Sequence, residues 1–232
     1  VKAVRWLPLA GQPAQELSSI PFDGGFAMSW LLREMLGAGV ILALQLEGQA
    51  ATKSAGDVQE GLRITLLCYR YPPLAEPVME RAKEQVERIF RQAGVEVAWA
   101  ACPTREGTLA EYPSCNGFHA PAHYSLHILS RGRKELKDAV QGEALLGSRL
   151  VYVFWDRTQR QADRYHVPVA DMLAAVICHE IGHLLLGPDS HAQLGIMVGK
   201  WNPRALTDIS QGGLGFTHEE QEQIRAELRK IR

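Results

Sequence analysis

The chain has 232 residues, 46% hydrophobic and 22% charged, with a formal net charge of -1 and a pI near 6.8. That length supports one core and, by default, one catalytic domain. Near-neutral charge without a lysine or arginine block leaves no basic field for a polyanion, so nucleic acid is excluded as an expected partner.

Residues 1–27 are rich in Pro, Gly and Ala without a sustained period, and are expected to be an unstructured leader or the product of a misplaced translation start. Residues 28–50 have the layout of a secretory signal peptide: Arg33 near the start, an apolar stretch over 35–46, and Gly48 and Ala50 as small residues ahead of a cut before Ala51. Glu34 is untypical of such a segment, and the alternative is an amphipathic or core helix of a cytosolic protein. The apolar run is too short to span a bilayer comfortably. Export makes residues 51–232 the mature domain, secreted or periplasmic, with no stable membrane association after cleavage. Only residues 51–61 then precede the first strand, too few for a propeptide of usual size.

Residues 62–71 are β-prone and stop at Pro72-Pro73. A helix is predicted over 74–93, with Val78, Ala82, Val86, Ile89 and Phe90 as its apolar stripe and Gly94 as its stop. A second strand covers 95–100. A loop with Cys102 and Cys115 follows, and a disulfide between them is expected to pin a segment that has no core of its own. Cys68 and Cys178 read as buried small hydrophobes. Residues 123–130 form a partly alternating strand, 132–147 a polar loop with a helical turn, and 149–155 the most apolar strand, expected to be central.

An apolar helix is predicted from Val169 or Asp171 to Leu186, with Gly187 in the left-handed region at its end and Pro188 blocking continuation. Within it, His179 and His183 stand one turn apart, ~6 Å along the axis on one face, so two imidazoles can hold one ion. Glu180 points beside that face and can reach a water on the metal without displacing a ligand. The chemistry needs both parts: a cation to acidify water and polarise a carbonyl, and a carboxylate to take the proton. After a turn-rich stretch to Gly215, Thr217-His-Glu-Glu220 has the spacing of a capping box that opens a last helix with Ile224, Leu228 and Ile231 inward.

The H-E-x-x-H helix after the last strand, the glycine that turns the chain, the further His191, and Gly195-Ile196-Met197 resemble the metzincin clan of zinc endopeptidases, and most closely its small secreted bacterial members. The resemblance covers residues 61–232 as topology, but its specific part spans only 179–197. It implies an α+β zincin-like fold: a twisted, mostly parallel sheet, a backing helix, an active-site helix and a C-terminal helix. It also implies Zn2+ as cofactor, His179 and His183 as ligands, Glu180 as general base and Met197 in a supporting turn. The implied activity is hydrolysis of peptide or protein substrates; the alternative is a secreted, inactive metal-binding module. The chain departs from the clan at the third ligand, because Leu186 and Asp189 occupy the usual glycine and histidine positions, with Gly187 one residue late and His191 two. His191 is the preferred third ligand. Asp189 remains open, and a carboxylate of the last helix, Glu219 or Glu220, is a further alternative. Asp189 or Ser190 can instead accept the outer N–H of a ligating ring. Tyr124, Tyr152 and Tyr165 are candidates to stabilise an oxyanion, and residues 123–130 are the candidate edge strand for an extended substrate. The remaining histidines, His119, His123, His127, His166 and His218, have no paired spacing that suggests a second metal and read as surface or strand residues.

Overall fold

The computed structural model describes residues 61–104, 112–115 and 120–231. The leader and signal peptide expected over 1–50, and His119, lie outside the described residues.

Strand β1 (Leu62–Arg70) leads through helix α1 (Glu76–Gln92) to β2 (Val95–Cys102), which pairs parallel with β1. Met79, Ala82, Val86, Ile89 and Phe90 form the buried stripe of α1, and Gly94 turns the chain at φ 72°. After β2 come a 3-10 turn (Pro113–Cys115) and β3 (His123–Leu129), then β4 (Gly142–Leu145) and β5 (Leu150–Phe154). The sheet order is β2-β1-β3-β5-β4, parallel except for the antiparallel β4 edge.

This order corrects two expectations. Residues 123–130 are the middle strand, with β1 on one side and β5 on the other, so they cannot offer an edge to a substrate. Residues 149–155 lie inside the sheet but next to its last strand. The edges are β2 and β4, the latter inside the segment expected to be a loop. The four residues of β4, Gly-Glu-Ala-Leu, lack the β-branched run that marks a strand.

Register divides the sheet into unequal faces. Ile64, Leu66, Cys68, Tyr124, Leu126, Ile128, Ala144, Val151 and Val153 share the main core with the helices. On the opposite face, Leu67 packs with Cys102 and Cys115 in a small separate cluster. The expected disulfide joins Cys102 to Cys115, with Cα atoms 5.7 Å apart. It stands in for the apolar burial that this loop lacks. Cys68 and Cys178 are free and buried, as expected.

Helix α2 (Trp155–Tyr165) begins where β5 ends and closes at His166 in the left-handed region. Pro168 then caps α3 (Val169–Leu186). Apolar all round, α3 is buried along most of its length against α1, α2, β4 and β5. It is long and apolar enough to cross a membrane, but as the core helix of this fold its apolar surface is already covered. Asp171 in its first turn is buried and receives a two-pronged contact from Arg81 of α1, at 2.9 and 3.0 Å. That contact fixes the backing helix against the start of α3. Helices α4 (Pro203–Ser210) and α5 (His218–Lys230) also pack on α3. The predicted capping box at Thr217 and Glu220 is formed.

Candidate metal centre

His179 and His183 lie fully buried in the last two turns of α3. Gly187 ends the helix at φ 98° with ψ -179°, a glycine-only conformation that is extended rather than the left-handed helical one expected. The chain then reverses through Pro188 to bring His191 back over the helix. Nitrogens from His179, His183 and His191 lie within 4.8 Å of one another, and among the described residues no other group of His, Cys, Asp or Glu converges in this way. Ring centroids are 4.6 Å apart for 179–183, 5.4 Å for 179–191 and 4.7 Å for 183–191.

Hydrogen bonds fix which nitrogen of each buried ring carries the proton. Nδ1 of His179 is 2.8 Å from the Ile196 carbonyl, a pure acceptor, so this nitrogen carries the proton. Nδ1 of His183 is 2.9 Å from the Ser190 hydroxyl, which donates its own hydrogen to the Gly187 carbonyl at 2.7 Å and therefore accepts from the ring. Ser190 thus takes the outer N–H role expected of Asp189 or Ser190. Both Nε2 atoms are then lone-pair donors, and they face each other at 3.0 Å. Two unshared pairs at that distance repel unless a cation lies between them. Two nitrogens bound to one tetrahedral zinc at ~2.0–2.1 Å stand roughly 3.3 Å apart, so the pair fits such an ion. Burial, reinforced by the neighbouring histidines, holds the His183 ring down to about 4 and the His179 ring well below the ordinary histidine value, which disfavours imidazolium as the cation.

The turn after His191 supports this pair. Ala192 N–H donates to the Met197 carbonyl at 3.0 Å, and Gly195 turns at φ 77°. Ile196 N–H binds the Gly215 carbonyl at 2.9 Å, so the carbonyl that holds His179 is itself anchored. Met197 is fully buried beneath the metal helix. A Cβ at Gly182 would stand 2.4 Å from its sulfur, so the glycine between the two histidines makes room for the methionine. The sequence showed this glycine inside His-Glu-Ile-Gly-His, but not the reason for it. Gly199 likewise abuts the His191 ring, where a Cβ would lie 3.2 Å away.

Glu180 is buried. A Cβ at Gly142, the first residue of β4, would fall 2.6 Å from its Oε1 and Cγ, so the carboxylate lies directly under the start of the edge strand.

The alternative ligands do not converge on the histidines. Asp189 is exposed, and Glu219 is exposed on α5. Glu220 is committed to the helix cap, where its Oε2 accepts the Thr217 N–H at 2.7 Å. Of the tyrosines, Tyr124 is buried in the core, where burial raises its hydroxyl to about 12. Tyr152 packs edge-on against His127. Tyr165 is exposed at the end of α2 and borders a cavity with Gly199 and Trp201. Trp201 is buried, meets the His179 ring edge-on at 6.2 Å and points its N–H at the Ile196 carbonyl from 3.5 Å. His123 and His127 are on β3, and His166 and His218 are exposed away from the cluster.

No family profile matches the chain. No curated protein matches it either. Among solved structures it is similar to the crystal structure of archaemetzincin from Methanopyrus kandleri, at 15% identity and a TM-score of 0.44, over 75% of this chain and 98% of that one. The protein described here is thus a mixed α/β chain with a mostly parallel five-stranded sheet and three histidines that can hold a metal ion.

Proposed function

We propose that the protein is a metzincin-like zinc endopeptidase. The observation that carries this reading is the pair of Nε2 lone pairs held 3.0 Å apart, with both outer nitrogens already committed to acceptors. His179, His183 and His191 would hold the ion, an all-imidazole set suited to zinc that leaves a fourth position for water. When bound, zinc supplies an acidified water and a polarised carbonyl. Glu180 would serve as the base, taking a proton from the attacking water and giving it to the leaving amine. Its burial under Gly142 places the carboxylate beneath the edge strand, so an extended peptide added alongside β4 passes over it. Edge pairing aligns the substrate backbone through its own N–H and C=O groups, without regard to side chains. Tyr165 is the tyrosine best situated to meet a developing oxyanion.

Export from the cytosol is part of the same proposal, supported by the Cys102–Cys115 disulfide and by the signal-like stretch 28–50. The test is hydrolysis of a mixed peptide library by wild type and by Glu180→Gln, each with and without a chelator. Wild type should cleave and lose activity with its metal, while Glu180→Gln should retain metal with turnover lowered by at least about a thousandfold. Metal bound without hydrolysis by wild type would leave a binding module instead, and full activity in Glu180→Gln would reject the assigned base.

A further inference from the structure

One edge of the sheet, β4, lies over Glu180; the opposite edge, β2, has no task in the proposed chemistry. Strand β2 is eight residues long against four for β4, and it follows β1 residue for residue without a bulge. It carries neither Lys nor Pro, and its single charge, Glu96, is held by Arg63 of β1 at 2.8 and 3.0 Å. The devices that usually protect a sheet edge are therefore missing from it.

The neighbouring strand fixes the direction of its backbone groups. Thr65 N–H donates to the Ala122 carbonyl at 2.9 Å, so the odd residues of β1 bond to β3 and the even ones to β2. Ile64 faces Val97 and Leu66 faces Trp99, so the even residues of β2 return those bonds, and Val95, Val97, Trp99 and Ala101 aim N–H and C=O outward. Among the described residues no other backbone group bonds to these outward groups. The Cys115 sulfur lies 3.6 Å from the Ala101 carbonyl, but in a disulfide it has no hydrogen to give. The side chains of Val97 and Trp99 lie partly buried on the helix face, where the Trp99 indole N–H donates to the Glu87 carboxylate of α1 at 3.1 Å.

We propose that β2 is a dimer edge, and that its partner is β2 of a second copy of this chain, antiparallel about a two-fold axis beside Ala98. In that register Val97 stands opposite Trp99 of the partner subunit and Val95 opposite Ala101 of the partner subunit, so each outward N–H and C=O meets its counterpart. No other antiparallel register pairs all the outward residues. On the helix face it sets a β-branched side chain against an aromatic one on both sides of the axis. On the other face Ala98 meets its own copy at a non-hydrogen-bonded position, where Cα atoms come within ~4.5 Å and a small side chain is suited. Glu96 falls opposite Ala100 of the partner subunit, so the two carboxylates do not oppose each other. An extended peptide can use the same backbone groups, but only a second copy brings this matched set of side chains and closes on itself. The two five-stranded sheets become one, with a β4 edge open at each far end.

The experiment is sedimentation velocity on the zinc-loaded full chain over a concentration series. Wild type should run as a dimer. In Val97→Pro the lost N–H is an outward one, so the strand keeps its bonds to β1. In Ala98→Lys two ammonium groups meet at the axis, on a residue whose side chain is outside the main core. Each should raise the dissociation constant at least about 10-fold, and Ala98→Lys keeps the test decisive should the proline unfold the chain. Register is read by mild oxidation: Ala98→Cys should give a covalent dimer, and Glu96→Cys should not. Wild type monomeric up to its highest soluble concentration, a dimer undisturbed by Ala98→Lys, or equal cross-linking of Ala98→Cys and Glu96→Cys would overturn the proposal. The pairing involves neither metal nor substrate, so these results are independent of whether the chain cleaves peptides.

Discussion

His179 and His183 each commit one ring nitrogen to an oxygen, and the geometry of those two bonds decides what the other nitrogens can do. Removing support from behind should therefore weaken the centre without touching a ligand. Gly182→Ala places a methyl where the Met197 sulfur now lies, and in a buried setting the methionine must move the turn that presents the Ile196 carbonyl. Zinc affinity of Gly182→Ala should fall about 10- to 100-fold, read by competition with a chromophoric chelator. Unchanged affinity would separate Met197 from the centre. The histidines also give the metal-free chain an acid sensitivity of known sign. Burial lowers the His179 and His183 pKa values, so below about pH 6.5, the ordinary histidine value, the unfolded chain binds protons that the folded one does not. The stability they contribute is complete above that pH and declines as pH falls towards the folded value, about 4 for His183. Urea midpoints of chelator-stripped protein should fall between pH 7.5 and 5.5, a window above the usual carboxylate range, and a flat profile would contradict the burial argument.

At the scale of elements, the unexpected pieces are β4, α2 and α4, and the first two are linked. The inner face of α2 is polar: Arg157 and Thr158 are buried with Ala162, so no apolar stripe announced the helix. Arg157 donates to four carbonyls, those of Lys137 (2.8 Å), Val140 (2.9 Å), Arg133 (2.9 Å) and Leu136 (3.1 Å), all in the loop that delivers β4. Gly132 is kept bare because a Cβ there would meet the guanidinium at 2.0 Å. One buried fork thus organises the approach to the edge strand. Arg157→Lys keeps the charge but not the fork, and should cost about 2–4 kcal/mol in denaturant unfolding, with a rise in KM for peptides larger than any fall in kcat. Loss below about 0.5 kcal/mol would show that the loop holds itself. Helix α4 does carry local signals: Asn202 caps it by accepting the Ala205 N–H at 2.9 Å, Pro203 opens it, and Leu206 and Ile209 face inward. Its turn-like composition concealed those signals.

Across the whole molecule, what could be read in advance was whatever had a period or a fixed spacing. The stripe of α1, the apolar α3, the Thr217 capping box and the cysteine pair each carry their own local reason. Strand order does not, because it depends on which edges meet after the chain returns, and so the partly alternating residues 123–130 read as an edge although they form the middle strand. The third histidine lies between these cases. Its type and neighbourhood were visible, but its choice over Asp189 depends on how a glycine at φ 98° and Ser190 steer the chain back over the helix. The most direct test of the account is therefore zinc content per purified chain for wild type, His191→Ala and Asp189→Ala after dialysis against metal-free buffer. The account predicts one zinc per chain for wild type and for Asp189→Ala, and its loss from His191→Ala. Zinc retained without His191, or lost with Asp189 alone, would contradict it.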